Sequence, residues 1–231
     1  MDAPIGLVRA LLPITVALRV RVPVDHPSVA VLGDSRALLK GQDVFVLAST
    51  SPTERRVNDG VITDPGPFVA YWEYLLDSAI QSSAINPGFG GGPLFDRRGR
   101  LLGVTSLSLG RVGRFSLAIP LHLFVEHRED FLRFGRVRGR ARRAWVGVYA
   151  EPTASGVAVA GVVPDGPAAR AGVREGDVIR AVNFTEVATR EDVYRQLWKQ
   201  SAETIVRLGI ERETERLTIE VASVDRAEFY R

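Results

Sequence analysis

The amino-acid sequence predicts a mainly β fold with two domains joined by a short basic linker. Residues 99–104 have the composition of a turn followed by a strand, and residues 156–163 alternate in the manner typical of a strand. Between them, residues 136–143 contain five arginines and a glycine. Such a segment buries little apolar surface and commonly marks a domain boundary. A length of 231 residues fits one or two domains.

The composition is that of an ordinary globular protein, with 45% hydrophobic and 25% charged residues. The chain has no cysteine, which excludes disulfides and thiolate metal sites, and we expect neither a metal nor another cofactor. The net charge is +3, and arginines cluster in the linker and at Arg114, Arg128 and Arg133. Because no pattern of interleaved aromatic and basic residues accompanies them, we interpret these arginines as solvated and expect no nucleic-acid partner.

The first 20 residues are rich in leucine, valine and isoleucine, but Asp2, Arg9, Pro13 and Arg19 interrupt the apolar run. No basic segment precedes a continuous apolar core, so the sequence predicts neither a signal peptide nor a membrane span. On that basis a cytoplasmic location is the default expectation.

One loop carries most of the functional information. Residues 86–94 read Asn-Pro-Gly-Phe-Gly-Gly-Gly-Pro-Leu. This run resembles the nucleophile loop of HtrA-type trypsin-like proteases, which reads Asn-Pro-Gly-Asn-Ser-Gly-Gly-Pro-Leu. In that resemblance Gly90 stands where the family has its catalytic serine, and Phe89 where it has asparagine. Glycine has no side-chain oxygen to attack a carbonyl, so the resemblance implies a protease fold without its nucleophile. A remnant of the family's oxyanion hole would lie at the N–H groups of Gly88 and Gly90.

The resemblance continues on both sides of this loop and in the family's order. Residues 31–35, Val-Leu-Gly-Asp-Ser, are similar to the family's Leu-Gly-Asp-Ser segment, and residues 116–120, Ser-Leu-Ala-Ile-Pro, to its Gly-Phe-Ala-Ile-Pro. It implies a trypsin-like (chymotrypsin-fold) β-barrel in a degenerate protease domain over residues 1–135, mostly the second barrel in residues 24–135. The family's complete unit has two six-stranded barrels, and we expect the first to be largely missing.

The other members of the family's catalytic triad have no match. The family's Asp opens an Asp-Ile-Ala-Leu-Leu strand, and neither residues 4–8 nor residues 15–18 place an Asp there. The family's His lies further upstream than this chain reaches. His26 lies in a Pro-flanked loop, and His122 and His127 fall in a helix after the barrel, where we interpret them as solvated or capping. We therefore predict no catalytic residue.

Beyond the linker, residues 144–225 resemble the PDZ domains of HtrA proteases. Residues 164–166 provide a turn, and residues 167–173 predict a short helix that stops at Gly172. Residues 174–179, Arg-Glu-Gly-Asp-Val-Ile, match the family's Gly-Asp-x-Ile turn and strand. The resemblance implies an α+β PDZ fold, which binds peptides by adding an extended strand to a sheet edge beside a helix.

A candidate carboxylate-binding loop opens this domain. The run Trp145, Val146, Gly147 and Val148 has the apolar-Gly-apolar form in which consecutive N–H groups converge on a ligand's terminal carboxylate. Gly147 lets the backbone turn without interference from a Cβ atom. The two valines either line the pocket for the last side chain or are simply core residues of a strand.

A predicted helix over residues 190–199, capped by Thr189, forms the other wall of the groove. Val193 and Leu197 lie one turn apart on one face and suit an apolar pocket. Tyr194 and Trp198 lie on the neighbouring face, where we expect core packing. The candidate peptide-binding residues are thus Trp145, Val146, Gly147, Val148, Val193 and Leu197.

Two functional hypotheses from different classes follow. The first is a non-catalytic HtrA-like protein that binds peptides or protein C-termini through its PDZ domain, in scaffolding, substrate capture or regulation within protein quality control. The second is a serine endopeptidase of the same family that is truncated or completed by another chain. A second chain can supply His and Asp, but it puts no oxygen on Gly90.

If the first barrel is largely missing, as we expect, the face of the second barrel that it would contact needs another cover. A lone second barrel leaves an apolar face in water, which we expect the N-terminal stretch to cover in part as one or two strands. We expect the rest to be covered in a homo-oligomer or by a partner that supplies the first barrel.

Overall fold

A computed structural model of the chain describes residues 6–12, 15–19, 29–88, 90–108, 115–134, 137–139 and 142–230, the first two segments by their backbone alone. The chain divides into two compact units, described one at a time below. The first comprises residues 1–67 and 77–139, and the second comprises residues 68–76 and 140–231. The sequence did not predict that residues 68–76 belong with the second unit.

The elements follow one another in three groups. Up to residue 82 they are β1 (Gly6–Leu12), β2 (Thr15–Arg19), β3 (Val31–Leu32), β4 (Asp43–Ser49), β5 (Arg55–Asp64), β6 (Phe68–Ala70), β7 (Tyr74–Leu76) and β8 (Ile80–Ser82). Up to residue 134 they are β9 (Pro93–Asp96), β10 (Arg100–Ser108), β11 (Ser116–Pro120), α1 (Leu121–Glu126) and α2 (Arg128–Phe134). The last group is β12 (Val148–Thr153), β13 (Gly156–Val162), α3 (Pro167–Arg170), β14 (Val178–Val182), β15 (Thr185–Glu186), α4 (Arg190–Leu197), β16 (Ile205–Arg212), β17 (Glu215–Ala222) and α5 (Arg226–Phe229). No helix in the described part of the chain is both long and apolar enough to cross a membrane.

Among the described strands of the first unit, six close into a barrel. They follow the order β11, β8, β5, β4, β9 and β10, and β10 pairs back with β11. All pairings around this ring are antiparallel, and β3 joins β10 as a parallel strand outside it. The closed ring confirms the predicted β-barrel.

The barrel is filled from alternate positions of its strands, as the two-residue period of a strand requires. Along β4, Val44, Val46 and Ala48 are buried, whereas Phe45 and Leu47 are half-buried on the other face. The barrel core consists of Leu38, Val44, Val46, Ile62, Ile80, Ala84, Leu94, Leu102 and Ala118.

The N-terminal stretch, for which we expect one or two strands, contains β1 and β2 in its described residues. β1 and β2 pair with each other as an antiparallel two-stranded sheet. The idea that they cover an apolar face stays a prediction, as does the oligomeric state.

The second unit contains a sheet in the order β12, β13, β14, β16 and β17, with β15 paired to β14. β12 is therefore an edge strand of this sheet, and α4 packs beside it. The core of the unit includes side chains from the sheet, from α4 and from β7. Its largest members that are fully buried are Tyr194, Ile179, Leu197, Leu208 and Ile210.

Helix α4 begins where the sequence predicts and ends two residues early, at Leu197. The Thr189 hydroxyl accepts a hydrogen bond from the N–H of Asp192, and the Asp192 carboxylate accepts one from the N–H of Thr189. This reciprocal pair satisfies two donors that the helix itself leaves unpaired. The predicted cap is confirmed.

The Gly-Asp turn before β14 is held by a buried carboxylate. The Asp177 side chain is 1% exposed and accepts two hydrogen bonds from Arg212, at 2.7 and 2.9 Å, and one from the N–H of Arg174. Burial opposes ionisation of Asp177, but these hydrogen bonds outweigh it and hold its pKa below the ordinary value. The motif residue therefore has a structural role.

We predict that Arg212→Met destabilises the second unit by about 3 kcal/mol, because it leaves the buried carboxylate of Asp177 without its cation. Arg207→Met is the matched control, since Arg207 pairs with an exposed partner, Glu220, and its loss costs less than about 1 kcal/mol. Urea unfolding followed by tryptophan fluorescence measures both changes. Equal losses in the two variants would contradict the assignment.

Candidate functional site

The loop that resembles a nucleophile loop is anchored by a buried amide. Asn86 is 6% exposed, and its Nδ2 donates to Thr105 Oγ1 at 2.7 Å. Thr105 Oγ1 in turn donates to the carbonyl of Gly92 at 2.9 Å, and the N–H of Gly91 donates to the carbonyl of Thr105. Gly90 itself is exposed. The loop is thus held in place around a position that has no side chain; Phe89 lies outside the described residues.

In the proposed remnant of the oxyanion hole, the N–H of Gly88 already has a hydrogen-bond acceptor. Its N–H donates to Asn86 Oδ1 at 2.9 Å, so the hydrogen bond that an oxyanion would need is already made within the loop. A Cβ atom at Gly88 would lie 2.3 Å from the carbonyl oxygen of Ser49, which explains why glycine is required there.

The described histidines serve local packing. His122 Nδ1 lies 2.9 Å from Ser35 Oγ, and the same oxygen accepts the N–H of His122. Ser35 is 5% exposed and His122 is half-buried, and this pair fastens the Gly-Asp-Ser turn to the start of α1. The ring of His127 packs edge-on against Phe131. His26 lies outside the described residues.

The predicted carboxylate-binding loop lies in the second unit at the start of β12. Gly147 has a φ of +82°, in the left-handed region that favours glycine, and a Cβ atom there would press on the Trp145 ring at 3.2 Å. This turn aims three consecutive N–H groups, those of Val146, Gly147 and Val148, at one point. Trp145 stands behind the loop, where its ring packs on Phe229 of α5.

A carboxylate occupies the point where these N–H groups meet, and it comes from this chain. Glu73, between β6 and β7, accepts hydrogen bonds from Gly147 at 2.5 Å, Val148 at 2.7 Å and Val146 at 3.2 Å. Glu73 is 2% exposed. We name the segment Phe68–Leu76 the docked hairpin; its strands pair in antiparallel register, Phe68 with Leu76 and Ala70 with Tyr74.

Hydrogen bonds to the main chain of the docked hairpin hold it against β12 and α4. The N–H of Ala150, on β12, donates to the carbonyl of Tyr71 at 2.9 Å. The Tyr194 hydroxyl accepts the N–H of Glu73 at 3.1 Å and donates to the carbonyl of Tyr71 at 2.9 Å. From α4, Arg190 donates to the carbonyl of Val69 at 2.9 Å. The hairpin therefore touches both walls of the groove.

Leu75 is the apolar anchor of the docked hairpin. It is 6% exposed and belongs to the same core cluster as Val146 and Val148 of the loop and Val193 and Leu197 of α4. Val193 and Leu197 are fully buried, so the predicted pocket residues are covered in this structure. Their role in binding a peptide stays a prediction.

Burial has the largest effect on the pKa of Glu73. Removal from water raises its pKa from 4.5 to about 7, against the opposing effects of the three N–H groups and of the more distant Arg226. Burial likewise raises the pKa of Tyr194, so its hydroxyl keeps its proton.

Sequence reasoning missed Glu73, Arg190 and the bonds made by Tyr194. Tyr194 was expected in the core and is fully buried there, but its hydroxyl also bonds the hairpin. The available signal was the run Tyr-Trp-Glu-Tyr-Leu-Leu at residues 71–76, in which a single acid sits among apolar and aromatic residues. Such an acid needs a partner when the run is buried.

Comparison with known proteins gives the family. Residues 10–104 match the trypsin-like peptidase domain, and residues 144–222 match the PDZ domain. The chain belongs to the HtrA family. The combination of a trypsin-like barrel and a PDZ domain was predicted and is confirmed.

Curated relatives of this HtrA-family chain carry the name "Probable periplasmic serine endoprotease DegP-like". The protein from Pseudomonas putida strain W619 is 30% identical over 82% of this chain and 42% of its own length. That from Halomonas elongata is 30% identical over 89% of this chain and 45% of its own length. The chain thus spans less than half the length of these relatives.

Solved structures of the family share the fold. The HtrA-type protease AlgW with a decapeptide is 25% identical, with a TM-score of 0.60 over 96% of this chain and 71% of its own. The serine endoprotease from Yersinia pestis is 25% identical, with a TM-score of 0.57 over 96% of this chain and 75% of its own.

The expectation of a cytoplasmic location is wrong. The curated relatives are named as periplasmic proteins. The lack of a signal-peptide pattern near residue 1 therefore does not decide the compartment.

We predict that Glu73 makes the stability of the second unit depend on pH. Its pKa is higher in the folded state than in the unfolded chain, so the stabilisation is fully present below about pH 4.5 and is lost as pH rises to about 7. Relative to Glu73→Gln, the native chain should lose up to about 3 kcal/mol over this range. Urea unfolding of both proteins from pH 4.5 to 8 measures the difference, in which other titrating groups cancel. Parallel pH profiles would contradict it.

Proposed function

We propose that this chain is a non-catalytic HtrA-family protein that binds peptides or protein C-termini through its PDZ groove. The observation that supports it most strongly is the convergence of the N–H groups of Val146, Gly147 and Val148 on a carboxylate. A terminal carboxylate presents the same two oxygens as the Glu73 side chain. The loop can therefore hold a peptide end by the same hydrogen bonds.

The rest of the groove supports a ligand in extended conformation. β12 is an edge strand, and the N–H of Ala150 already bonds a carbonyl that lies alongside it. A peptide added there would pair in the same way. Leu75 belongs to the same buried cluster as Val146 and Val148 of the loop and Val193 and Leu197 of α4, so we expect ligands with an aliphatic C-terminal residue.

The nucleophile position supports a role without catalysis. Gly90 has no side-chain oxygen, and in the described part of the chain the histidines are used in local packing. The second candidate, a serine endopeptidase completed by another chain, is favoured by the names of the curated relatives. Gly90 weighs against it, because a partner cannot supply the missing oxygen.

The cellular role follows from these two features. A groove for chain ends, in the same chain as a barrel without a nucleophile, suits scaffolding, substrate capture or regulation of an active relative. We place this activity in the periplasm, in line with the names of the relatives.

We expect the purified chain not to hydrolyse casein, and Gly90→Ser to give no activity either. A serine Cβ atom fits at Gly90 with a small adjustment, since it would lie 3.2 Å from the carbonyl oxygen of Ser106. The general base would still be absent. Fluorogenic casein, with an active HtrA-type protease as positive control, tests both proteins. Hydrolysis that is lost on labelling with an active-site serine reagent would overturn the non-catalytic assignment.

The peptide site is tested with fluorescein-labelled heptapeptides of random sequence that end in leucine. We expect free-acid peptides to bind at least about tenfold more tightly than the same peptides with an amidated end, because amidation removes the charge that the three N–H groups bind. Fluorescence anisotropy measures both affinities without altering the protein. Equal affinities would mean that the loop does not bind chain ends.

A further inference from the structure

The docked hairpin supplies, from within the chain, each feature that a bound peptide end would bring. Glu73 places a carboxylate on the three N–H groups of the loop. Tyr71 accepts a main-chain hydrogen bond from the edge strand, and Leu75 belongs to the buried cluster that includes Val193 and Leu197. A peptide end and the docked hairpin would therefore occupy the same space and the same hydrogen-bond donors.

We propose that the docked hairpin is an intramolecular ligand that closes the PDZ groove, and that a peptide binds only after displacing it. This inference rests on the proposed peptide-binding function. It makes the hairpin a gate, so that the observed affinity for peptides is the intrinsic affinity reduced by the fraction of molecules whose groove is open.

Several features of the docked hairpin favour its dissociation from the groove. Its two strands have three residues each and pair only with each other among the described strands. A two-stranded hairpin of this kind has little stability by itself, so its order depends on the groove. Displacement by a peptide exchanges one carboxylate for another on the same N–H groups.

The backbone at Glu73 also opposes docking. Its φ is +52°, in the left-handed region that non-glycine residues rarely adopt. The position closes the three-residue connection between β6 and β7, where glycine is the usual choice. A glutamate stands at this position despite its backbone preference because its carboxylate binds the N–H groups of residues 146–148.

The two ends of the hairpin are tied to each other independently of the groove. The N–H of Ala79 donates to the carbonyl of Gly66 at 2.8 Å, just outside the segment 68–76. The hairpin can therefore leave the groove without breaking this bond. Pro65 and Pro67, on either side of Gly66, stiffen the same point of the chain.

The full-length chain and its variants at Glu73 test the proposal with the leucine-ended heptapeptides described above. Glu73→Gln removes the charge at nearly constant volume, and Glu73→Ala removes the carboxylate altogether. We expect both to bind free-acid peptides at least about tenfold more tightly than the native chain, with the larger gain for alanine. Glu186→Gln, an exposed acid on β15, is the control and should bind as the native chain does.

The two proposals fail in different ways. Variants that bind no better than the native chain, while all still prefer the free acid, would overturn the gate and leave the peptide site intact. Equal binding of free-acid and amidated peptides by every variant would overturn the peptide site.

A measurement on the native chain covers the case in which the variants do not fold. Hydrogen exchange followed by mass spectrometry should show residues 68–76 protected in the free protein and losing protection when saturating free-acid peptide is added. Peptide binding with unchanged protection of this segment would show that the hairpin is a permanent part of the domain, and would overturn the gate.

Discussion

Three consecutive backbone N–H groups that point at one spot, in a place closed to water, require an acceptor there. The positive φ of Gly147 creates this convergence between Val146 and Val148, and the Trp145 ring, packed on α5, holds the loop from behind. Unpaired, the three donors would each carry the cost of a buried polar group. The carboxylate of Glu73 meets that requirement and so helps to hold the docked hairpin in the second unit.

Three motif residues that this chain shares with HtrA proteases have structural roles. Ser35 fastens a turn to α1, Asn86 anchors the loop around Gly90, and Asp177 neutralises Arg212 below the Gly-Asp turn. Replacing any of them would leave a hydrogen-bond partner unsatisfied: Thr105 is buried, and His122 and Arg212 are partly buried. Position 90 is different, because an exposed glycine there has no side chain that needs a partner. Loop motifs of this kind therefore predict the fold more reliably than the activity.

The same distinction explains what the sequence could predict. Strand β13, the cap at Thr189 and the turn at Gly147 depend on neighbours within a few residues, and each lies where its local pattern indicates. Glu73 depends on N–H groups more than 70 positions away in the sequence, and no period or motif connects the two. Leu197 is predicted only in part. The sequence predicts its face on α4, but it does not predict that Leu75 of the same chain belongs to the same buried cluster.

A ligand carried by the same chain competes at a high effective concentration, which for a short tether reaches about millimolar. A free peptide with micromolar intrinsic affinity would bind poorly against a hairpin that docked without cost. The left-handed backbone at Glu73 and the burial of its carboxyl group both weaken docking, and the pKa of about 7 is the electrostatic part of that weakening. These two costs weaken docking of the hairpin and so favour its replacement in the groove by a peptide. A glycine at position 73 would remove the strain but also the carboxylate, and so would leave the groove without its internal ligand.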